Sequence, residues 1–386
     1  MFSSSFQLHT RRNTTRRKIL NYSVHFTPSP TSDTTATMQH LLQNLPPELL
    51  AAIVEELPWE SRLSLSATSS VFRAALAARF FRAIVVSNKP GTSLDGLRAW
   101  AEKYGSLVDE VHFLGSRDGL DNTVRETSQE EDGVHRGTQC LLPTLLQGIL
   151  SGTRLSQAST VRVSFDFDFN RGHEPGSDWE SESELLDDDI DSIYVFQVPE
   201  ETLQVIKHKE DRYPWRQLMA ETCATLAQNQ NVRKLVMEEL VPKPTSTFFT
   251  TAWSSFLGQL DVLDISGIWS EDNGAGWHAN TLDGYLHFEA HMGDYFFEHA
   301  RSLRHVRLSA ASATAFGVDG NLFDCALPLE KCHLPHQQRL ELQYMLISPK
   351  LADFVLVKGT TLRSLRLVDC HANTDADLDQ NRTFPC

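Results

Sequence analysis

The sequence predicts an α/β fold: a small all-α module near the N-terminus, then an irregular array of helices and short strands forming a parallel sheet. Three observations predict it. Residues 45–86 carry apolar side chains at spacings compatible with short helices. Beyond them, the pattern apolar-x-x-apolar-x-apolar recurs seven times, and most copies follow a helical segment. Alternation of helix and strand calls for parallel pairing, because a parallel neighbour needs a long crossover.

The first element is "LPPELLAAIVEELP", residues 45–58. It reads as a helix of barely three turns, fenced by proline at both ends. Proline suits the first helical turn, where the N–H has no partner anyway, and Glu48 suits the positive helix start. At about 100° per residue, Leu45, Leu49, Leu50, Ile53, Val54 and Leu57 sweep roughly half the circumference. A helix packed on one neighbour needs a stripe only a little over ~100° wide, so part of this face is in excess. The segment after it, "SRLSLSATSSVFRAALAARFFRAIVV", places Leu63, Leu65, Phe72, Leu76, Phe80, Phe81 and Ile84 at spacings that predict two more short helices. About 45 residues is too little chain to bury a robust core alone. Such a unit with surplus apolar surface docks onto something.

The strand-like copies are "VDEVHF" (108–113), "ASTVRV" (158–163), "VRKLVM" (232–237), "LDVLDI" (260–265), "LRHVRL" (303–308), "LEKCHL" (329–334) and "LRSLRL" (362–367). Helical segments precede them at "LDGLRAWAEKYG", "LLPTLLQGILSG", "WRQLMAETCATLAQNQ", "FFTTAWSSFLGQ", "EAHMGDYFFEHAR" and "SPKLADFVLVKG". In the last of these Ser348 is the expected N-cap, Pro349 the first helical residue and Gly359 the stop. Self-similar strands separated by helices predict a solenoid.

Three polar insertions interrupt the array: 115–139, an acidic loop at 171–191, and 269–287. Within the acidic loop, "EPGSDWESESELLDDDID" (174–191) holds nine acids and no base. All three read as surface loops. The acidic one is also a candidate lure for a basic partner, or a phosphorylation site at Ser181 or Ser183. The expected divisions are a basic leader at 1–37, a helical module at 38–90, the array at 91–370 and a polar tail at 371–386. That tail either folds back over the last repeat, or the chain is part of a longer one.

Net charge is −15, which removes the electrostatic case for nucleic acid or an anionic membrane. No apolar run approaches the ~20 residues of a membrane span. Six cysteines without a Cys-x-x-Cys pair point to reduced thiols and a cytoplasmic or nuclear home. The leader has Arg11, Arg12, Arg16, Arg17 and Lys18 against Asp33 alone. That composition fits a mitochondrial transit peptide, or else a disordered leader or an upstream extension before a start at Met38. The latter pair is favoured, because nothing downstream points to mitochondrial chemistry.

The partial catalytic and metal patterns in the sequence are each incomplete. "HFEAH" (287–291) sets His287 and His291 four apart, but Phe288 stands where a zinc protease needs glutamate. "DFDFN" (166–170) suggests a calcium loop, yet Arg171 fills the glycine slot and Ser177 the twelfth position. Alternation of Val161, Val163, Phe165, Phe167 and Phe169 makes a half-buried strand the better reading. "CHLPH" (332–336) offers Cys332, His333 and His336 without a second ligand cluster. "GAG" (274–276) does not sit between strand and helix as a dinucleotide loop must. The expectation is a non-enzyme without cofactor or metal. An enzyme with a pocket around His278, His287 and His291 is the remote alternative.

The stretch from Leu45 to Phe81 resembles the F-box, most closely as it opens fungal F-box proteins with leucine-rich repeats. Leu45, Pro46, Glu48, Leu49, Leu50, Ile53, Leu57, Pro58, Leu63, Leu65, Ser69, Phe72 and Arg73 carry the resemblance. Thr68, where the family has an aliphatic residue, and Ser70-Val71, in place of a basic pair, depart from it. "LRSLRLVDC" (362–370) matches the leucine-rich-repeat template through its ninth-position Cys370. The other copies lack Asn or Cys there, and their spacing mostly exceeds the usual ~20–29 residues. The resemblance implies a three-helix F-box docking on the Skp-type adaptor of a cullin–RING (SCF-type) ubiquitin ligase, followed by an irregular leucine-rich-repeat-like solenoid that binds a target protein. Leu45, Pro46, Leu49, Ile53, Leu57, Leu63, Leu65 and Phe72 are the adaptor-binding residues it implies. A ligase-independent repeat scaffold is the alternative.

Overall fold

The computed structural model describes residues 46–116, 140–167, 193–268, 282–310, 318–319, 323–324 and 327–372 of the 386-residue chain. The basic leader, the acidic loop and most of the tail lie outside the described residues, as do Leu45, Phe169, Gly274–Gly276 and His278. The chain divides after Phe80 into two compact units.

The first unit holds three helices: α1 (Pro47–Glu56), α2 (Trp59–Thr68) and α3 (Ser70–Phe80). Pro47 occupies the first turn of α1, as its fixed φ favours. The end of α1 is closed by Arg62 of α2, whose Nε and Nη2 donate to the carbonyls of Leu57 and Glu55 at 2.8 and 2.9 Å. Those carbonyls have no intrahelical partner, so the guanidinium fixes the corner between the two helices. Leu50, Val54, Phe72 and Leu76 form the core, with Leu65 and Phe80 packed against it.

The second unit is an open, parallel, eight-stranded sheet, mixed with helices. Its strands are β1 (Ala83–Ser87), β2 (Glu110–Ser116), β3 (Thr160–Asp166), β4 (Lys234–Glu238), β5 (Val262–Ile268), β6 (His305–Ala310), β9 (Arg339–Gln343) and β11 (Ser364–Val368), joined in chain order. Two-residue pairs lie beside it: β7 (Val318–Asp319) with β8 (Phe323–Asp324), and β10 (Leu346–Ile347) with β12 (His371–Ala372). Sequential order means that every crossover has the same sense and covers the same face of the sheet. The core is accordingly one-sided: Val111, Phe113, Val161, Val163, Leu235, Leu263, Ile265, Val306, Leu308, Leu340 and Leu342 point into it.

The helices of this unit are α4 (Leu94–Tyr104), α5 (Thr144–Leu150), α6 (Leu203–Arg212), α7 (Pro214–Leu226), α8 (Thr251–Gly258), α9 (Asp283–Ala290) and α10 (Pro349–Lys358). Ser348 caps α10 as expected, accepting from the Leu351 N–H at 3.2 Å. Among the described residues no helix is long and apolar enough to cross a membrane.

Three elements differ from the sequence reading. Ile84 lies in strand β1, not in a helix, so the helical unit ends at Phe80 rather than near Val86 or residue 90. The apolar run "AIVV" satisfies either period over so short a length, and pairing with β2 decides it. "LEKCHL" (329–334) is a turn, and the strand is "RLELQ" five residues beyond its end. Pro328 and Pro335 flank the turn, and Leu334 has φ +52, outside the β region. Leu329 and Leu334 are buried there without a strand to carry them. The expected helix at 289–301 is displaced as well: α9 ends at Ala290 and a single π-helical turn follows at Gly293–Phe297.

The crossover from β3 to β4 returns to the core through a buried ion cluster. Glu200 accepts from Arg216 Nη1 and Nη2 at 2.7 and 2.6 Å and lies 2.9 Å from Lys243 Nζ. Arg216 also donates to the Pro244 carbonyl at 2.6 Å. Burial opposes ionisation of Glu200, but Arg216 and Lys243 overcome it and hold the carboxyl down at about 2. Burial pushes the Lys243 ammonium down to about 8 against the pull of Glu200, with Arg216 repelling it. One acid thus serves two fully buried cations, with Lys209 Nζ 4.0 Å away at the edge of the cluster, and Lys243 is the less compensated of the buried two. The cluster ties the crossover to α7 and to the segment after β4. Close by, a Cβ on Gly284 would stand 2.5 Å from the Phe196 carbonyl, so α9 reaches this segment only because residue 284 is glycine.

Candidate interaction surfaces

In α1 the wide apolar face is split. Leu50 and Val54 turn inward to Phe72 and Leu76. One position earlier, Leu49 and Ile53 are 54% and 41% exposed, one turn apart on the same side. Pro46 is exposed and Leu57 half-buried, extending that side toward both ends of the helix. Of the other residues the resemblance singles out, Leu65 packs against the core and Phe72 is buried within it. These two hold α2 and α3 together rather than presenting a surface. The backbone of Leu63 lies in α2. The Thr68 hydroxyl donates to the Leu65 carbonyl at 2.7 Å, so the departure from an aliphatic residue is satisfied within its own helix.

The second surface is the outer face of the sheet. Because the strands run in register, alternate residues form straight rows across it. The middle row reads His112, Arg162, Val236, Asp264, Arg307, Glu341, Arg366 from β2 to β11. Arg162 Nε lies 3.2 Å from Glu110 Oε1, and its Nη1 meets Glu238. Partial burial works against the charge on Arg162, yet Glu238 and Glu110 raise its pKa. Arg307 and Asp264 pair at 3.6 Å, and Glu341 stands between His305 at 3.2 Å and Arg366 at 3.8 Å. Burial pushes the Asp264 carboxyl up despite the pull of Arg307. Half-exposed ion pairs of this kind add little stability. They do present a fixed pattern of charge to a partner, which is where electrostatic complementarity acts.

At the ends of the strands two side chains splice neighbours together. Asn88, just after β1, donates to the Ser116 carbonyl at 2.9 Å and accepts from the Ser116 N–H at 2.7 Å. Cys370, after β11, donates to the Leu342 carbonyl at 3.4 Å. Cys370 was marked by its repeat position. Asn88 was missed, although an asparagine ending the run "AIVVSN" was the available signal.

The candidate ligand residues are held structurally. The rings of His287 and His291 stack at 4.2 Å, and His291 Nδ1 lies 2.8 Å from the His287 carbonyl. Burial, then His291, lowers the pKa of His287. His333 Nδ1 accepts from the Glu330 N–H at 3.0 Å, closing the turn that replaces the expected strand. Asp166 pairs with Lys89 at 2.9 Å. Among the described residues no three His, Cys, Asp or Glu side chains are grouped to hold a metal ion. Compared with known proteins, the chain matches no family model. No curated protein matches it either.

Proposed function

We propose that this chain is a non-catalytic substrate-recognition subunit of a cullin–RING ubiquitin ligase. In this reading α1–α3 are an F-box that docks a Skp-type adaptor through Pro46, Leu49, Ile53 and Leu57. The sheet is an irregular leucine-rich-repeat-like surface, and its charged outer face holds a target protein. Catalysis then comes from elsewhere. The chain raises the local concentration of a target lysine near the charged conjugating enzyme, making transfer effectively intramolecular at mM-scale concentration.

The observation that carries the reading is the pair Leu49 and Ile53. Their neighbours Leu50 and Val54 already supply the unit's core, so two large apolar side chains remain exposed on one side, outside that core among the described residues. Free thiols at Cys140, Cys223, Cys332 and Cys370 fit a reducing compartment, the cytoplasm or nucleus. The test is direct binding of the full chain to a purified Skp-type adaptor, beside a Leu49→Glu/Ile53→Glu variant. Sub-micromolar binding that the double variant loses, with unchanged circular dichroism, is the expected result. A folded chain that does not bind overturns the ligase reading and leaves a repeat scaffold acting alone.

A further inference from the structure

Among the described residues the sheet ends at β11, which has β9 as its one neighbour. Its core-facing side changes character there. Leu340 and Leu342 of β9 are 0% and 1% exposed, whereas their register partners Leu365 and Leu367 are 42% and 46% exposed. The helix of the same repeat, α10, leaves Leu356 and Val357 exposed as well. The free side of β11 also presents a row of main-chain N–H and C=O groups without a ladder partner among the described strands.

Edges of this kind are normally defended by proline, by a bulge, or by a charge pointing inward. Within "SLRLV" there is no proline, the register with β9 is unbroken, and both inward residues are leucines. The outer row adds a second signal. From β5 to β11 it alternates in sign: Asp264, Arg307, Glu341, Arg366. Arg307 has an acid on each side in this row. Arg366 is largely exposed and among the described residues has one, Glu341 at 3.8 Å on the β9 side. The position beyond it in the row calls for another acid.

We propose that the free edge of β11 is a docking site for an extended segment of another protein carrying an apolar–acid–apolar triplet. The segment adds as a ninth strand, its main chain completing the ladder. Its acid lies beside Arg366 on the outer face, and its two apolar residues cover the side of Leu365 and Leu367. β9 displays the matching pattern from the other side, with Leu340-Glu341-Leu342 set against Leu365-Arg366-Leu367. This site is independent of the helical unit and of adaptor binding, and stands or falls by itself.

The test is fluorescence anisotropy of a labelled peptide, Gln-Arg-Leu-Glu-Leu-Gln with glycine flanks, titrated with the full chain. That peptide repeats residues 338–343. Saturable binding is expected, weakened about tenfold by Arg366→Glu, since a cross-strand pair of opposite charge becomes one of like charge. The same loss is expected when lysine replaces the peptide's glutamate, and combining the two changes restores binding. Restoration also demonstrates that the Arg366→Glu chain is folded. Absence of saturable binding, or binding indifferent to the swap, overturns the proposal. So does a dimer in sedimentation that Arg366→Glu dissociates, which makes a second copy the occupant. Binding that emerges only after removal of residues 373–386 overturns it too, because the chain then covers its own edge.

Discussion

Replacing Lys243 by methionine separates its charge from its packing, since the two side chains are of similar length. Glu200 is already satisfied by both arms of Arg216, so Lys243 is a second cation on one acid. Burial lowers its pKa from an ordinary 10.5 to about 8. At 1.36 kcal/mol per pKa unit that difference is worth about 3 kcal/mol. The unfolded chain, with the higher pKa, holds the proton longer as pH rises, so the folded state gains stability between about 8 and 10.5. Below that window the charged ammonium is a net cost. Urea unfolding of the native and Lys243→Met chains at pH 7 and 10.5 measures this directly, because other titrating groups cancel in the difference. At pH 7 the methionine chain should be at least as stable as the native one, and its relative advantage should fall by about 3 kcal/mol toward pH 10.5. A difference that does not change with pH refutes the surplus-cation account. So does a loss of about 3–5 kcal/mol at pH 7, the cost of removing an indispensable partner from a buried pair. Glu200→Gln is the converse, stranding two buried cations, and should cost that amount. The part of Glu200's contribution tied to its depressed pKa is present above its ordinary 4.5 and lost as pH falls through about 2.

Phe72→Ala should destabilise the helical unit by about 3–5 kcal/mol, since Phe72 fills the centre of a four-residue core. Limited proteolysis should then cut within residues 47–80 while the sheet unit stays intact, and equal resistance of the two chains contradicts this. Glu289 is buried with neither carboxylate oxygen hydrogen-bonded, and burial raises its pKa well above 4.5. The folded state therefore keeps the proton and loses stability as pH rises past 4.5, so Glu289→Gln should raise Tm at pH 7 and leave it unchanged at pH 4. An equal shift at both pH values would mean that the gain has nothing to do with ionisation.

The parallel sheet was legible because strands covered on one face alternate, and six of the seven pattern matches overlap strands. The seventh, "LEKCHL", obeys the same spacing but is fenced by prolines, and the strand is the shorter alternation "RLELQ" after it. Strand β1 was hidden because it follows directly on a helix of similar apolar content. In α1 the excess of apolar surface could be read from sequence, whereas the division of labour between Leu49/Ile53 and Leu50/Val54 depends on where α2 and α3 lie. The ion cluster could not be read at all. Glu200 and Arg216 are sixteen residues apart, and Lys243 lies beyond a strand, so only the crossover brings them together. Each alone looks like an ordinary solvated charge.

The chain-order arrangement of the strands also bears on how fast this unit assembles. Among the described strands each pairs only with its neighbours in sheet order, so no closure has to span the whole unit, although every one of these parallel pairings is itself non-local. The longest closure, from Asp166 to Lys234, is about three times the shortest, from Gln343 to Ser364. Closure entropy grows only with the logarithm of length, so that difference amounts to about 1 kcal/mol. Growth can start at any adjacent pair and run both ways, with β3–β4 as its slowest step. The Glu200–Arg216 pair closes that same crossover, so losing it should slow refolding as well as lower stability.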